Sequence, residues 1–225
     1  MARLPADPEG FIRANTALGR PAMVPEFQLW LASEYVPIWQ ATEEWMEAQN
    51  VDPPYWAFCW PGGQAVARYL LDNPDAVHGK RVIDFAAGSG VSSMAAAKAG
   101  AASVIANDID ALSLVAARLN AHANGLHIES DNADWLAGAD GNPDADVVIA
   151  GDVCYEREMS GRALAWLRGH ARLGRVVLLG DPGRNYFSAQ GLEELARYEI
   201  PTSLQLENRG TRETVVWRVL PSSGM

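Results

Sequence analysis

Cysteine is scarce in this 225-residue chain: Cys59 and Cys154 are its two cysteines. They are too few and too far apart for a metal-ligand pattern, and His122 and His127 lack the i, i+4 spacing of a helical metal site. Two buried free thiols in a reducing compartment are the expectation, with no metal. Basic residues are short as well. Eighteen Lys and Arg against 28 Asp and Glu leave a formal charge of -10 and a pI near 4.8. Such a balance argues against a nucleic-acid backbone as the main partner, which would need a basic face to displace counterions; a basic partner would be attracted instead. Long apolar runs are missing too: none approaches membrane-spanning length, and the first residues hold no continuous apolar stretch of a signal peptide. Arg3, Arg13 and Arg20 hint at a transit peptide, but Asp7 and Glu9 weigh against it. The expectation is a soluble cytoplasmic protein with no membrane partner.

What the chain does have is apolar content, 48% of residues, enough to close the core of one domain. The stretch RVIDFAAGSG, Arg81 to Gly90, organises the rest. Val82, Ile83 and Phe85 read as a buried strand. Ala86, Ala87, Gly88, Ser89 and Gly90 carry almost no bulk, so the backbone can approach a ligand closely. VSSMAAAKAG then reads as a helix whose first amides point back over the turn. Two cofactor classes use such a turn. A dinucleotide fingerprint has a third glycine where this chain has Ser93. The pattern D-x-A-x-G-x-G, with Asp84 closing the strand, suits a cofactor with positive charge near the turn, such as S-adenosylmethionine with its ammonium and sulfonium groups.

In chain order, residues 1–25 predict an extended arm, and residues 26–49 one or two helices broken at Pro37, with Trp30, Trp39 and Trp45 packing. Residues 53–64, PPYWAFCWPGGQ, predict a rigid lid before a helix over about 62–71, and Trp60 in it suits sheet packing and ligand contact equally. A strand at 103–109 ends at Asp108 and Ile109, where an acid is placed to accept from ribose hydroxyls; Asp110 suits the next helix cap. A strand at 126–129 leads to Asp134 and Trp135, placed either to meet an adenine edge and face or to form an ordinary anchored loop. The strand 145–151 ends at Gly151 and Asp152, with Tyr155 just beyond, and ligands of open α/β sheets bind at such strand ends. A helix at 156–172, a strand at 176–179 running into GDPGR, a helix at 190–197 and a hairpin of 198–207 with 213–220 complete the chain.

On these residues the chain resembles the seven-β-strand S-adenosylmethionine-dependent methyltransferases, and among them the protein-lysine methyltransferases with a D-x-x-Y motif after strand four. RVIDFAAGSG matches the donor turn, IANDID the ribose strand and GDVCYE the D-x-x-Y element. WAFCWPGGQAVARYLLD and GDPGR are similar to the branch that methylates the β subunit of electron transfer flavoprotein. The resemblance implies an α/β fold: a Rossmann-like doubly wound seven-stranded sheet with an antiparallel C-terminal hairpin and an N-terminal helical layer, residues 1–78 packing as arm and extension on a core of 79–225 in one compact domain. It implies that Trp60, Asp84, Ala86, Gly88, Gly90, Asp108, Ile109, Asp134, Trp135 and Gly151 bind the donor, while Asp152 and Tyr155 face a target lysine. Ala86 stands where glycine is frequent in the family, and alanine costs little room. The implied reaction moves a methyl group to a lysine ε-amine, with S-adenosylhomocysteine as product. A methyltransferase of ribosomal proteins or of small molecules, a nicotinamide oxidoreductase and a non-catalytic donor-binding module are the alternatives.

Overall fold

Asp7-Pro8-Glu9 is a helix start. The Asp7 carboxylate accepts from the Gly10 N–H at 2.9 Å, and Pro8 fills a first-turn position whose amide has no helical partner to lose. Helix α1 (Pro8–Asn15) therefore stands where proline content predicts an extended arm. Strand β1 (Ala17–Gly19) follows and pairs antiparallel with β2 (Leu29–Leu31). That strand replaces the start of the predicted 26–49 helical stretch, because tertiary partners claim its backbone: the Trp30 N–H donates to Asn120 Oδ1 at 2.7 Å. The remainder of that stretch, with Pro37, Trp39 and Trp45, lies outside residues 4–32, 53–138, 144–202 and 210–221, which the computed structural model describes.

After a single 3-10 turn at Tyr55–Ala57 come α2 (Pro61–Asp72), β3 (Arg81–Phe85), α3 (Val91–Lys98), β4 (Ser103–Asn107), α4 (Ala111–Ala123), β5 (Glu129–Asp131), β6 (Val147–Gly151), α5 (Arg157–Arg172), β7 (Val176–Asp181), β8 (Leu192–Pro201) and β9 (Thr211–Val219). Seven strands form one sheet in the order β5-β4-β3-β6-β7-β9-β8. The first five are parallel; β9 runs antiparallel to both β7 and β8. The chain winds outward from β3 to β5 and then returns to β6 on the other side of β3. That reversal opens a crevice at the carboxyl ends of β3 and β6, where ligands of open α/β sheets bind.

Successive strand residues face opposite sides of the sheet, and the core divides accordingly. Val82, Val147, Ile149 and Leu178 pack with α2, α3 and α4 on one face. Ile83, Phe85, Val148, Ala150 and Leu179 pack with α5 on the other. The N-terminal segment covers the outer side of α4, Ile12, Trp56 and Ala57 meeting Leu112, Val115 and Leu119. Covering both faces explains why β3 and β6 read as continuous apolar runs.

One predicted helix is absent: residues 190–197 run instead into β8, whose ladder with β9 begins at Leu192. A register shift between Glu194 and Ala196 interrupts the ladder. It puts Leu192, Leu195 and Ala196 at a spacing that imitates a helix face, and cross-strand pairing overrides that local signal. The antiparallel C-terminal pair stands as expected, while residues 203–209, which join its strands, lie outside the described residues.

Candidate active site

The backbone leaving β3 turns through three left-handed residues, Ala86 at φ 56°, Gly88 at φ 51° and Gly90 at φ 76°. At Ala86 the conformation, not the room, carries the cost, of order 1–2 kcal/mol for an L side chain. Gly90 is required by packing: a Cβ there would stand 2.7 Å from Ala117 Cβ on α4. Gly88 is different, since a Cβ there meets nothing within 4 Å. Its open face lies above the turn, the side a ligand would approach. The buried Asn120 amide of α4 donates to the Ser89 carbonyl at 2.9 Å and fixes the turn from below.

Asp84 does not face that open side. It is buried at 2% exposure, and Ser93 Oγ donates to its Oδ2 at 2.6 Å. Burial pushes its carboxyl up to about 7. Ser93, the residue that breaks the dinucleotide fingerprint, is thus the partner that Asp84 requires. Asp108 does reach the turn: its Oδ2 accepts from the Gly88 N–H at 2.9 Å and its Oδ1 from the Asp110 N–H at 3.0 Å. Burial raises its carboxyl to about 6. Asp110 is the cap of α4, accepting from Leu112 N at 2.9 Å. Ile109 beside it is an exposed apolar side chain, 56% accessible at the mouth of the crevice. Asn107 and Asn132 lace the ends of β4 and β5 together by bonds to the Asp131, Ala133 and Asp108 carbonyls.

Asp134 stands exposed on the loop after β5, its Oδ1 accepting from Leu136 N at 2.9 Å. Trp135 beside it is buried, its ring stacked on Trp166 with centroids 6.0 Å apart, in the apolar cluster that also holds Phe85 and Val153 at the ends of β3 and β6.

A second set of groups gathers where α2 meets β6 and β7. Gly62, Gly151 and Gly180 let these backbones touch: a Cβ on Gly151 would lie 2.6 Å from Gly63 N, and one on Gly180 would lie 2.2 Å from Gly62 O. Asp152 follows β6 in a left-handed conformation, φ 60°, a strain that is concentrated at functional sites. Its Oδ2 accepts from Gly63 N at 3.0 Å, at the positive end of α2. Its Oδ1 accepts from Arg184 Nη2 at 2.7 Å and Nε at 3.1 Å. Arg184 closes the turn after β7, where its N–H donates to Asp181 Oδ1 at 2.7 Å, and its guanidinium lies 5.5 Å from the Trp60 ring centroid. Trp60 Nε1 donates to the Tyr55 carbonyl at 2.8 Å, and the Tyr55 ring centroid is 5.6 Å from that of Tyr155. Asp152, Arg184, Trp60, Tyr55 and Tyr155 therefore form a chain of neighbours that returns on itself within one stretch, Asp152 to Tyr155. Burial raises the Tyr155 phenol, which stays protonated and able to donate at neutral pH.

Trp60, Ala86, Gly88, Gly90, Asp108, Ile109, Gly151, Asp152 and Tyr155 thus converge at one end of the sheet, with Asp134 on the neighbouring loop. Arg184 and Tyr55 join them without having been singled out in the sequence. The crowded PPYWAFCWPGGQ segment signalled Tyr55, and GDPGR signalled Arg184. Among the described residues no three His, Cys, Asp or Glu are gathered as a metal site, and no helix is long and apolar enough to cross a membrane.

The open face at Gly88, the acid of β4 opposite it and the apolar Ile109 fit a nucleoside donor such as S-adenosylmethionine. Comparison with known proteins agrees. The ribosomal protein L11 methyltransferase (PrmA) family model matches residues 68–152. The chain is 38% identical over 220 residues to the electron transfer flavoprotein beta subunit lysine methyltransferase of Xenopus laevis, a match spanning 95% of this chain and 87% of that one. Among solved structures, ribosomal protein L11 methylase from Lactobacillus delbrueckii subsp. bulgaricus superposes with a TM-score of 0.52 at 24% identity, covering 82% of this chain and 93% of its own. Magnesium protoporphyrin IX methyltransferase from Synechocystis, solved with bound SAM, gives a TM-score of 0.51 at 19% identity over 69% of this chain and 77% of its own. These two likenesses show the fold.

Proposed function

The chain belongs to the family of electron transfer flavoprotein beta subunit lysine methyltransferases, and from that premise we propose that its substrate is a lysine of the same flavoprotein subunit and that Asp152 and Tyr155 form the acceptor site. It is an S-adenosylmethionine-dependent protein-lysine methyltransferase. The net charge of -10 supports a basic protein surface as partner, and neither nucleic acid nor membrane. The two free thiols support a reducing, cytoplasmic setting. Residues 1–78 are read as an extension packed on a core of 79–225 within one domain.

When bound, S-adenosylmethionine supplies a methyl group on a sulfonium and leaves as S-adenosylhomocysteine. The residues that hold it are Gly88 and Gly90 through the turn, Asp108 as acceptor for ribose hydroxyls, and Ile109 as apolar contact beside the base. Asp84 acts from beneath the turn, as a carboxyl near its titration point whose ionised form favours a cationic ligand. Asp134 is assigned to the adenine edge, Trp135 to the adenine face, and Gly151 to the donor pocket through the close approach of α2.

On the acceptor side, a lysine must arrive as a free amine, because an ammonium has no lone pair; an unperturbed lysine titrates at about 10.4. Tyr55, Trp60 and Tyr155 offer aromatic walls for its methylene stem, and the Tyr155 hydroxyl is a donor at its end. Asp152 orients the amine. Most of the acceleration is assigned to in-line positioning, worth roughly 7–11 kcal/mol in well-oriented systems. The reading rests above all on Asp152, held at a left-handed φ of 60° between the start of α2 and an aromatic wall, beside the glycine turn.

The test uses labelled donor and purified electron transfer flavoprotein β subunit, with the labelled residue located by mass spectrometry. Wild type should label a lysine. Asp152→Asn should lose at least 100-fold in turnover while S-adenosylhomocysteine affinity by calorimetry stays within a few-fold. Full activity in Asp152→Asn would remove that residue from the mechanism, and a wild-type protein that labels no lysine of the subunit would refute the substrate assignment.

A further inference from the structure

GDPGR is the one motif that donor binding leaves unexplained, and its arginine makes the closest charged contact in the acceptor region. Arg184 and Asp152 are both largely buried, with side-chain exposures of 16% and 11%. Both guanidinium contacts go to Oδ1, at 2.7 and 3.1 Å, while Oδ2 is taken by the Gly63 N–H. The Arg184 backbone N–H donates to Asp181 Oδ1 at 2.7 Å, and the guanidinium lies over the Trp60 ring. An arginine in this geometry cannot deprotonate and is a fixed cation.

The consequence concerns the charge that a lysine meets. A bare carboxylate beside an amine favours the ammonium, the form that cannot attack, whereas a cation nearby favours the free amine. Resting on the lysine-methyltransferase reading above, we propose that Arg184 is a positioning residue that pairs with and neutralises Asp152, so that this carboxylate orients the target lysine without holding it as the ammonium. At ~6 Å and an effective dielectric of about 20, the guanidinium offsets the pull of the Asp152 carboxylate on the amine's proton by roughly two powers of ten, relative to the same site without it. The proton goes to solvent as the lysine enters, and the amine keeps its lone pair.

The other groups facing this pair do not supply the effect. The Cys154 thiol is pushed up to about 12 by burial, and burial also raises the thiol of Cys59 and the phenol of Tyr155. Asp181 and Asp108 titrate at about 6. Glu156, next to Tyr155, is exposed. Between pH 7.5 and 9 the two thiols and the phenol stay protonated, and Asp181 and Asp108 stay ionised.

Two measurements test the inference, with electron transfer flavoprotein β subunit as acceptor. In the first, calorimetry at pH 9 follows acceptor binding to the S-adenosylhomocysteine complex in buffers of different ionisation heat. Wild type should release about half a proton more per lysine bound than Arg184→Gln, whose Asp152 is left bare. In the second, the rising limb of kcat against pH, under saturating substrates, should move up by one pH unit or more in Arg184→Gln and return toward the wild-type position in Arg184→Lys. If Arg184→Gln does not fold, as judged by loss of S-adenosylhomocysteine binding, the double variant Asp152→Asn with Arg184→Gln replaces it, and with both charges gone proton release should stay near the wild-type value; a release below half of it overturns the neutralising role. Equal proton release in wild type and Arg184→Gln, or an unmoved limb with donor affinity intact, overturns the role of Arg184 alone. A wild-type enzyme that transfers no methyl group to lysine overturns the reading beneath it.

Discussion

Asp84→Asn is the sharpest probe of the turn, because it removes a charge while preserving shape. Asp84 is 2% exposed, and burial moves its carboxyl from an ordinary 3.8 up to about 7. That is about three powers of ten in proton affinity, or about 4 kcal/mol. Between those two pH values the folded protein holds one proton more than the unfolded chain. This contribution to wild-type stability is complete below pH 3.8, falls as pH rises through the window, and is gone above about 7. The variant has no such slope. It keeps an oxygen for the Ser93 hydroxyl, which lies 2.6 Å from Oδ2, but buries an amide N–H₂ at a cost of roughly 1–3 kcal/mol at every pH. Wild type is therefore the more stable protein in acid, and the variant gains the advantage above neutrality by roughly 1–3 kcal/mol. Urea unfolding of both proteins without donor, at pH 5, 6, 7 and 8, measures the difference, in which titrating groups that do not interact with Asp84 cancel. The swing between pH 5 and 7 should be about 2.7 kcal/mol, or roughly 5–10 °C in Tm for a domain of this size. A difference that is flat across the series would refute the buried, proton-holding state of Asp84.

Two further predictions address the acceptor side. Gly62→Ala places a Cβ 2.4 Å from the Gly180 carbonyl and 2.6 Å from Asp152 Oδ2, so it should cost about 1–3 kcal/mol of stability and displace Asp152; turnover should fall at least tenfold more than S-adenosylhomocysteine affinity, measured side by side. Tyr155 is 45% exposed, so Tyr155→Ala should melt within a few degrees of wild type yet raise KM for the protein substrate about tenfold, whereas Tyr155→Phe, which keeps the ring against Tyr55, should retain KM and lower kcat; equal behaviour of the two variants would separate the ring from acceptor binding.

Much of this site is legible from local chemistry. RVIDFAAGSG announces a strand and a turn because β-branched bulk gives way abruptly to residues with none. Asp110 announces a cap because its carboxylate needs only an amide two positions on, at 2.9 Å. Asp152 and Tyr155 share one strand end, so their proximity follows from four residues of chain. The helix predicted at 190–197 fails for the converse reason: a bulge disguises the alternation of β8, and only the β9 partner decides the outcome.

The sequence by itself determined the strand, the small-residue turn and the helix start at 81–98, because these are set by steric and hydrogen-bonding demands that act within a few residues. Tertiary structure decided what surrounds Asp152 and Tyr155. The contact of Asp152 with Gly63 and Arg184 spans 89 and 32 residues of chain, and Tyr155 meets Tyr55, which lies 100 residues earlier (155 - 55), with ring centroids 5.6 Å apart. It also decided which way Asp84 points. The strand-end acid reads from sequence as suited to a cationic cofactor, and the fold adds what the sequence left out, the Ser93 hydroxyl of the following helix that holds it in the core.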